Sequence, residues 1–202
     1  LYYFYLEISA RKTAKELNID YGVVHRKFMQ FRKLIAEYCN KQARKLNGEL
    51  ELDESYFGGK RKGNRGRGAN NKAIAFGILE RKGTVHTIII EYVKAETLME
   101  AMKNKTQKGS VFYTDGFRSY NDLKQYGKHN VIRHDKDEFA KEKNHINGIE
   151  GFWSFAKERF HKYHGIDKEN YPFYVKEMEF RFNNRNNNVY KLLIDICIRR
   201  LV

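Results

Sequence analysis

Three acidic residues, Asp53, Asp115 and Glu150, stand where a folded chain could bring their carboxylates together. Asp115 follows Asp53 by 62 positions, and Glu150 follows Asp115 by 35 positions. Three converging carboxylates can hold two divalent cations, and their hard oxygen ligands favour Mg²⁺ or Mn²⁺. Two such ions can stabilise both the attacking and the leaving oxygen of a phosphodiester. We therefore take these three residues as candidate catalytic and metal-binding residues.

The strand that carries Asp53 distinguishes this residue from the acid beside it. Leu50 and Leu52 alternate with charged residues, which predicts a β-strand with its apolar side chains on one face. Asp53 falls on the opposite face, just before a glycine-rich loop, so the alternation favours Asp53 over Glu54 as a ligand. Asp122 could also serve on chemistry alone, but it lies within a predicted helix.

The other candidate residues each have an ordinary structural explanation. An aspartate at a strand end, such as Asp115, is often a turn former, and Glu150 by itself would be a solvated helix residue. His145 and Asn147 are either hydrogen-bond donors that support the acidic cluster or plain helix-start residues. A site therefore depends on a fold that joins these separate segments.

The order of predicted strands and helices after Gly48 indicates how the acids meet. Strands are predicted over residues 49–53, 73–79, 84–92, 110–113 and 130–133, and helices over residues 95–104, 119–126, 145–162, 171–183 and 189–202. This order is typical of an RNase H-like α/β fold, in which a mixed sheet is flanked by helices. The first and fourth strands are expected to be neighbours, with Asp53 on one and Asp115 at the end of the other.

The predicted helix over residues 145–162 is amphipathic and carries the third acid. Its apolar stripe consists of Ile146, Ile149, Trp153, Ala156 and Phe160. Glu150 and Lys157 are two helical turns apart and lie along one border of that stripe. The stripe is expected to pack on the sheet, which would bring Glu150 beside the two aspartates.

Positive charge is concentrated in two segments of a chain whose net charge is +14. Residues 9–48 hold ten Lys/Arg and three Asp/Glu, and residues 58–72 hold six Lys/Arg and no acid. Localised positive charge predicts a polyanionic partner, most simply double-stranded DNA. The second segment is a glycine-rich loop that suits phosphate contact, or else a hairpin tip. Its candidate DNA-binding residues are Lys60, Arg61, Lys62, Arg65 and Arg67.

The first basic segment predicts a small all-α helix-turn-helix segment ahead of the sheet. Ser9 can cap a short first helix, and a second, basic helix follows Asp20 after a three-residue turn. His25, Arg26 and Lys27 are then candidates for groove or phosphate contacts with DNA. The alternative is a plain helical hairpin with a solvated basic face.

The remaining composition bounds the class of protein. With 202 residues and 41% hydrophobic content, one main domain with a small helical appendage is expected: a DNA-binding segment over residues 1–47, and a catalytic domain with C-terminal helices over residues 48–202. Cys39 and Cys197 are too few for a zinc ribbon or a disulfide framework, so they predict free thiols in a reducing compartment. Neither a signal peptide nor a membrane span is visible.

Four stretches of the sequence together resemble a known family. They read LDESYFGGK at 52–60, YTDG at 113–116, HINGIEGFWSFAK at 145–157 and EFRFNNR at 179–185. All four are similar to motifs of the DDE transposases of a bacterial insertion-sequence group, which is related to the eukaryotic Merlin transposons. The resemblance covers about residues 9–190.

This resemblance implies a catalytic triad of Asp53, Asp115 and Glu150 that uses Mg²⁺ or Mn²⁺, and a contact of Lys157 with DNA near the cleaved end. It implies metal-dependent hydrolysis of one strand at the end of a mobile element, and then attack of the freed 3′-OH on target DNA. A homodimer or higher assembly on DNA, in the bacterial cytoplasm at the nucleoid, is implied as well. Many members carry a zinc ribbon ahead of the helical part; none is present here, which leaves open whether the chain is a fragment.

Two other functions remain open. An RNase H-like nuclease would cut DNA without joining it, but the basic N-terminal helices argue against this function, because a sequence reader suits an enzyme that returns to defined ends. A decayed mobile element could instead encode a DNA-binding repressor without catalysis, and the three intact acids argue against that. Strand transfer from a pre-cut DNA end would separate these possibilities.

Overall fold

The computed structural model describes residues 1–58, 72–115, 118–132, 145–163 and 165–199. The chain divides into two compact units: a sheet unit, Arg44–Glu158, and a helical unit that joins Leu1–Ala43 to Arg159–Val202. The helical unit thus contains the C-terminal helices, which the predicted boundaries of 1–47 and 48–202 group with the catalytic domain. Those boundaries stay a prediction about which segment binds DNA and which is catalytic.

The sheet unit contains a five-stranded mixed sheet. Its strands are β1 (Glu49–Phe57), β2 (Ala73–Glu80), β3 (Val85–Ile90), β4 (Val111–Asp115) and β5 (Lys128–Ile132). They lie in the order β3-β2-β1-β4-β5. The first three strands form an antiparallel meander, and the last two run parallel to β1. The predicted RNase H-like α/β class, a mixed sheet flanked by helices, is confirmed.

One face of the sheet is covered by α4 (Ala95–Lys105) and by a 3-10 helix (Arg118–Gln125). Leu50 and Leu52 of β1 are completely buried in this core, together with Leu98 of α4. Because side chains alternate along a strand, the residues between these leucines must face the other side of the sheet. The predicted orientation of β1 is therefore confirmed.

The opposite face of the sheet lies under α5 (Asn147–Phe160). The predicted apolar stripe is buried or half-buried, and Phe152, which the prediction did not include, is buried as well. A Cβ atom at Gly77 of β2 would lie 2.6 Å from the ring of Trp153 and 2.9 Å from Ile149. The helix can approach the sheet this closely because Gly77 has no side chain.

The helical unit begins with three helices. These are α1 (Tyr2–Tyr5), α2 (Ala10–Leu17) and α3 (Tyr21–Gln42). The hydroxyl of Ser9 accepts the N–H of Lys12 at 3.3 Å, and the Asp20 carboxylate accepts the N–H of Val23 at 3.1 Å. Between these two caps, Asn18 adopts a left-handed conformation that ends α2. The predicted Ser9 cap and the three-residue turn between the helices are confirmed, and Asp20, which was predicted only as part of that turn, also caps α3.

Two C-terminal helices complete this unit: α6 (Tyr171–Asn183) and α7 (Val189–Ile198). Glu177 of α6 is 1% exposed and lies between two buried guanidinium groups, with Arg32 at 2.7 Å and Arg181 at 2.9 Å. Arg181 also donates to the backbone carbonyl of Phe4 at 2.7 Å. A network of buried charges therefore joins α1, α3 and α6.

The two cysteines are free thiols, as predicted. Cys39 is buried, and burial raises the pKa of its thiol to about 12, so it packs as a small apolar side chain. Of the helices that the structure describes, none combines the length and the apolar character that crossing a membrane requires.

Candidate catalytic site

Asp53 and Asp115 lie on neighbouring parallel strands. The pairing of β1 with β4 matches Glu51 with Tyr113, an offset of 62 residues. Continuing the same register by two residues brings Asp53 level with Asp115, the last residue of β4. Matched side chains of parallel strands point to the same face. The predicted adjacency of the two strands is confirmed, and extending their register by two residues would match the two acids.

Glu150 comes to this face of the sheet from α5. The helix packs over Gly77, and Gly77 is the cross-strand partner of Asp53 on β2. Glu150 itself is exposed in the first turn of the helix. The charges of Asp115 and Glu150 both act on Asp53 and raise its pKa, so all three carboxylates belong to one electrostatic cluster.

The pKa of Asp53 is strongly raised. Burial contributes most to the rise in its pKa, the charges of Glu54, Asp115 and Glu150 add to it, and the resulting pKa is about 7. The backbone N–H of Glu54 donates to Asp53 Oδ1 at 2.9 Å and opposes this rise. A proton and a cation would therefore compete for Asp53 near neutral pH.

The chemistry of this cluster fits a hard divalent cation. Carboxylate oxygens are the ligands that Mg²⁺ and Mn²⁺ prefer, and a cation would relieve the repulsion that contributes to the raised pKa of Asp53. Across the described ranges, no group of three or more His, Cys, Asp or Glu side chains is close enough to hold a metal ion. Like charges repel, so we expect an unscreened acidic cluster to be more open than a loaded one. The ligand set stays a proposal.

Of the two alternative acids, Glu54 adjoins Asp53 and acts on its pKa but contacts the other side of the sheet, and Asp122 is not on the sheet. Glu54 Oε2 accepts the hydroxyl of Tyr120 at 2.7 Å, and Tyr120 is buried in the core on the α4 side of the sheet. Asp122 is exposed on the 3-10 helix. Strand alternation explains why Asp53, and not its neighbour Glu54, shares a face with Asp115.

Glu51 is a candidate functional residue that the sequence analysis did not identify. It is 1% exposed and lies two residues before Asp53, on the same face of β1. Its Oε1 accepts the Nε–H of Arg81 at 3.0 Å, and its Oε2 accepts the backbone N–H of Ile149 at 2.9 Å. The period-two alternation that placed Asp53 on this face could have identified Glu51 as well.

Three further predicted residues lie on or next to α5. His145 precedes the helix, with its Nδ1 3.7 Å from Glu51 Oε1. Asn147 is the exposed first residue of α5, and Lys157 is exposed two turns after Glu150. The roles of His145 and Asn147 as hydrogen-bond donors to the site, and of Lys157 as a DNA contact, stay predictions.

The candidate DNA-binding residues of the helical unit lie in the first two turns of α3. Arg26 and Lys27 are exposed, and His25 is half-buried with its ring centroid 5.6 Å from that of Tyr21. The loop residues with the same predicted role lie outside the described residues: Lys60, Arg61, Lys62, Arg65 and Arg67.

The raised pKa of Asp53 predicts a pH-dependent stability of the metal-free protein. The folded pKa of about 7 lies above the unfolded value near 3.9, so the bound proton stabilises the folded state fully at low pH, and this contribution is lost as the pH rises through about 7. Asp53→Asn should flatten this dependence and raise Tm at about pH 8 by several degrees. Thermal melts in EDTA between about pH 5 and pH 8 measure the effect. Asp122→Asn is the control, and parallel profiles for Asp53→Asn and wild type would contradict the prediction.

The sequence of this chain matches the family model of the ISXO2-like transposase domain over residues 45–183. An uncharacterized transposase-like protein of Haemophilus influenzae is 41% identical over 105 residues, which cover 51% of this chain and 84% of that protein. An uncharacterized protein in the transposable element ISH50 of Halobacterium salinarum is 25% identical over 218 residues, covering 97% of this chain and 72% of that protein.

This chain is also similar to solved structures of an integrase and of a transposase. The catalytic core domain of BIV integrase has 10% identity and a TM-score of 0.44, covering 77% of this chain and 99% of that one. The Mos1 transposase in its paired-end complex has 12% identity and a TM-score of 0.35, covering 87% of this chain and 72% of that one. The family model includes all three candidate acids and well over half of the sequence, and the chain therefore belongs to the ISXO2-like transposase domain family.

Proposed function

We propose that this chain is a DNA transposase that binds the ends of an insertion sequence, hydrolyses a phosphodiester there and joins the freed 3′-OH to target DNA. The alignment of Asp53 with Asp115, on the face over which α5 carries Glu150, is the observation that most strongly supports this function. The influence of both acids on the pKa of Asp53 supports it further. Membership of a transposase family supports the same reaction class.

In this proposal Asp53, Asp115 and Glu150 hold two ions of Mg²⁺ or Mn²⁺. Bound ions would supply charge stabilisation for the attacking and leaving oxygens of the phosphodiester. The raised pKa of Asp53 supports cation binding. Burial and the neighbouring acids destabilise the negative charge of this carboxylate, and a bound cation would offset that effect. The Asp53 carboxyl must lose its proton to act as a ligand, so cation affinity should rise with pH through about 7.

Basic residues of the chain would bring DNA to this acidic cluster. Lys157, exposed on α5 two turns after Glu150, would contact a phosphate near the cleaved end and offset its repulsion from the acids. His25, Arg26 and Lys27 would bind the terminal repeat of the insertion sequence. The active species would be a homodimer or higher assembly on paired ends, in the bacterial cytoplasm at the nucleoid. The relationship to the eukaryotic Merlin transposons stays part of this proposal.

A strand-transfer assay tests the proposed function directly. The substrate is a labelled duplex that carries the end of the insertion sequence, pre-cut to expose the 3′-OH, together with plasmid target and Mg²⁺ or Mn²⁺. Joined product from the wild type is the expected result. Nicking without joining would indicate an RNase H-like nuclease, and binding of the end without either activity would indicate a DNA-binding repressor.

DNA binding through α3 gives a separate prediction. Replacing Arg26 and Lys27 by Ala should weaken binding to the end duplex and reduce the slope of log K against log salt by up to about 2, because each phosphate contact contributes about 0.9. Lys41→Ala is the matched control, since Lys41 is exposed in the last turn of the same helix. Titrations at several salt concentrations measure the slope. An unchanged slope in the double variant would exclude these two side chains as phosphate contacts.

A further inference from the structure

The first turn of α5 is bound to β1 through a buried carboxylate. Glu51 Oε2 accepts the N–H of Ile149 at 2.9 Å, and the first N–H groups of a helix have no partner within the helix itself. The negative charge of Glu51 also complements the positive end of the helix dipole. Ile149 immediately precedes Glu150, and Glu51 lies two residues before Asp53 on the same face of the strand. One hydrogen bond thus connects the segments that carry two of the candidate ligands.

Arg81 holds the Glu51 carboxylate from its other side. Arg81 Nε donates to Glu51 Oε1 at 3.0 Å, and another guanidinium nitrogen donates to the backbone carbonyl of His145, just ahead of α5. The guanidinium lies over the ring of Tyr113 with its carbon 3.7 Å from the ring centroid. Tyr113 is the residue that β4 pairs with Glu51. The contacts of Arg81 therefore reach β1, β4 and the segment that leads into α5.

The start of α5 packs closely against the ends of the Glu51 and Leu79 side chains at Gly148. A Cβ atom at Gly148 would lie 2.8 Å from Glu51 Oε2 and 2.4 Å from the side chain of Leu79. At Gly151, one turn further along the same helix, a Cβ atom would meet no described atom within 4 Å. Gly148 is therefore crowded by Leu79 and Glu51, whereas Gly151 has room for a side chain.

We propose that Glu51 and Arg81 act as positioning residues that set the place of Glu150 relative to Asp53, and so assemble the cation site. This inference rests on the proposed function, because it assigns Glu150 to that site. A carboxylate fixed at both oxygens prevents the first turn of α5 from sliding or rotating, and a rotation by one residue would turn Glu150 by about 100°. Neither Glu51 nor Arg81 needs to touch DNA or the cation for this role.

The test compares four variants of the full chain. Glu51→Ala removes the carboxylate, and Glu51→Gln keeps an oxygen acceptor for Ile149. Gly148→Ala crowds the Glu51 and Leu79 side chains at the start of α5 while Glu51 keeps its carboxylate, and Gly151→Ala is the matched control. Mn²⁺ alone is the probe, titrated by electron paramagnetic resonance, with Asp53→Asn defining the binding that belongs to the site. We call the contacts of Glu51 with the Ile149 N–H and with Arg81 the clamp. Exchange of the Ile149 amide hydrogen in the metal-free protein reports whether the hydrogen bond from Ile149 to Glu51 is formed.

Positioning predicts that Glu51→Ala and Gly148→Ala weaken Mn²⁺ binding about ten- to a hundredfold, as loss of supporting contacts does at other metal sites. Both should speed exchange of the Ile149 amide and lower kcat for nicking while KM for DNA is unchanged. Glu51→Gln should recover most of the Mn²⁺ affinity, and Gly151→Ala should match the wild type. A purely structural role would lower Tm and leave the Mn²⁺ affinity and kcat of the folded variants unaltered.

Failure of this inference and failure of the proposed function give different results. A wild type that binds Mn²⁺ at the Asp53-dependent site but neither nicks nor joins DNA would overturn the transposase function, and the clamp would still be judged by Mn²⁺ affinity. Unchanged Mn²⁺ affinity in a folded Gly148→Ala or Glu51→Ala variant whose Ile149 amide exchanges faster than that of the wild type would overturn the clamp. A wild type whose Mn²⁺ binding equals that of Asp53→Asn would overturn both.

Discussion

Asp115→Asn is expected to reduce strand cleavage and strand transfer by at least about 10³-fold and to leave binding of the end duplex within about twofold of the wild type. The substitution keeps the shape of the side chain and removes the charge of a proposed ligand at the end of β4. Loss of several kcal/mol of transition-state stabilisation corresponds to this factor, since each 1.36 kcal/mol is tenfold in rate. The residues of the helical unit are unchanged, so DNA binding should persist.

Rates of nicking on a labelled end duplex and binding on the same duplex measure the two effects separately. Asp122→Asn is the control, because Asp122 is exposed on the 3-10 helix and the substitution changes the charge by the same amount. Cleavage that survives in Asp115→Asn would remove Asp115 from the site. Equal losses of binding and cleavage would instead point to a folding defect, and a thermal melt of the variant would detect it.

Glu177→Gln is expected to lower the free energy of unfolding by about 3–5 kcal/mol, because it leaves two buried guanidinium groups without their counter-charge. Arg32 and Arg181 lie 2.7 and 2.9 Å from the Glu177 oxygens. Burial by itself raises the pKa of Glu177, but the two guanidinium groups outweigh it and lower the pKa below its usual value. The wild-type contribution is therefore present above the unfolded pKa of this carboxyl and is lost as the pH falls through the lower folded value.

Urea unfolding at neutral pH measures this loss. Glu169→Gln is the matched control, because Glu169 is exposed in the short 3-10 turn ahead of α6 and its charge should contribute less than about 0.5 kcal/mol. A Glu177→Gln variant as stable as the control would show that the buried cluster is held together by packing rather than by its charges.

Local patterns in the sequence were sufficient to predict most of the secondary structure and the acidic face of β1. Alternation in β1 separated Leu50 and Leu52 from Asp53, because successive strand side chains must point to opposite faces. The apolar stripe of α5 could be predicted because the helical period of 3.6 residues spaces apolar residues three or four positions apart. The Ser9 cap could be predicted because a short polar side chain can satisfy a nearby N–H group.

The fold class followed from the order of these local patterns, but the register of the sheet did not. The 62-residue interval between Asp53 and Asp115 was visible in the sequence, yet only the pairing of β1 with β4 gives that interval its structural meaning. The number of residues between two acids says nothing about the distance between them until the pairing of the strands that carry them is known. In the structure, the paired residues of β1 and β4 are separated by the same 62 positions.

Only the tertiary structure determines which residues distant in sequence contact one another. Arg81 meets Glu51 across 30 residues, and Glu177 meets Arg32 across 145 residues. Periodicity reports which side of a strand or helix is buried, but it carries no information on which distant group will occupy the facing position. Partner choice depends on closing long loops and on close approaches such as the one at Gly148. The sequence alone therefore determined the elements and their buried faces, whereas long-range packing decided how the candidate site is held together.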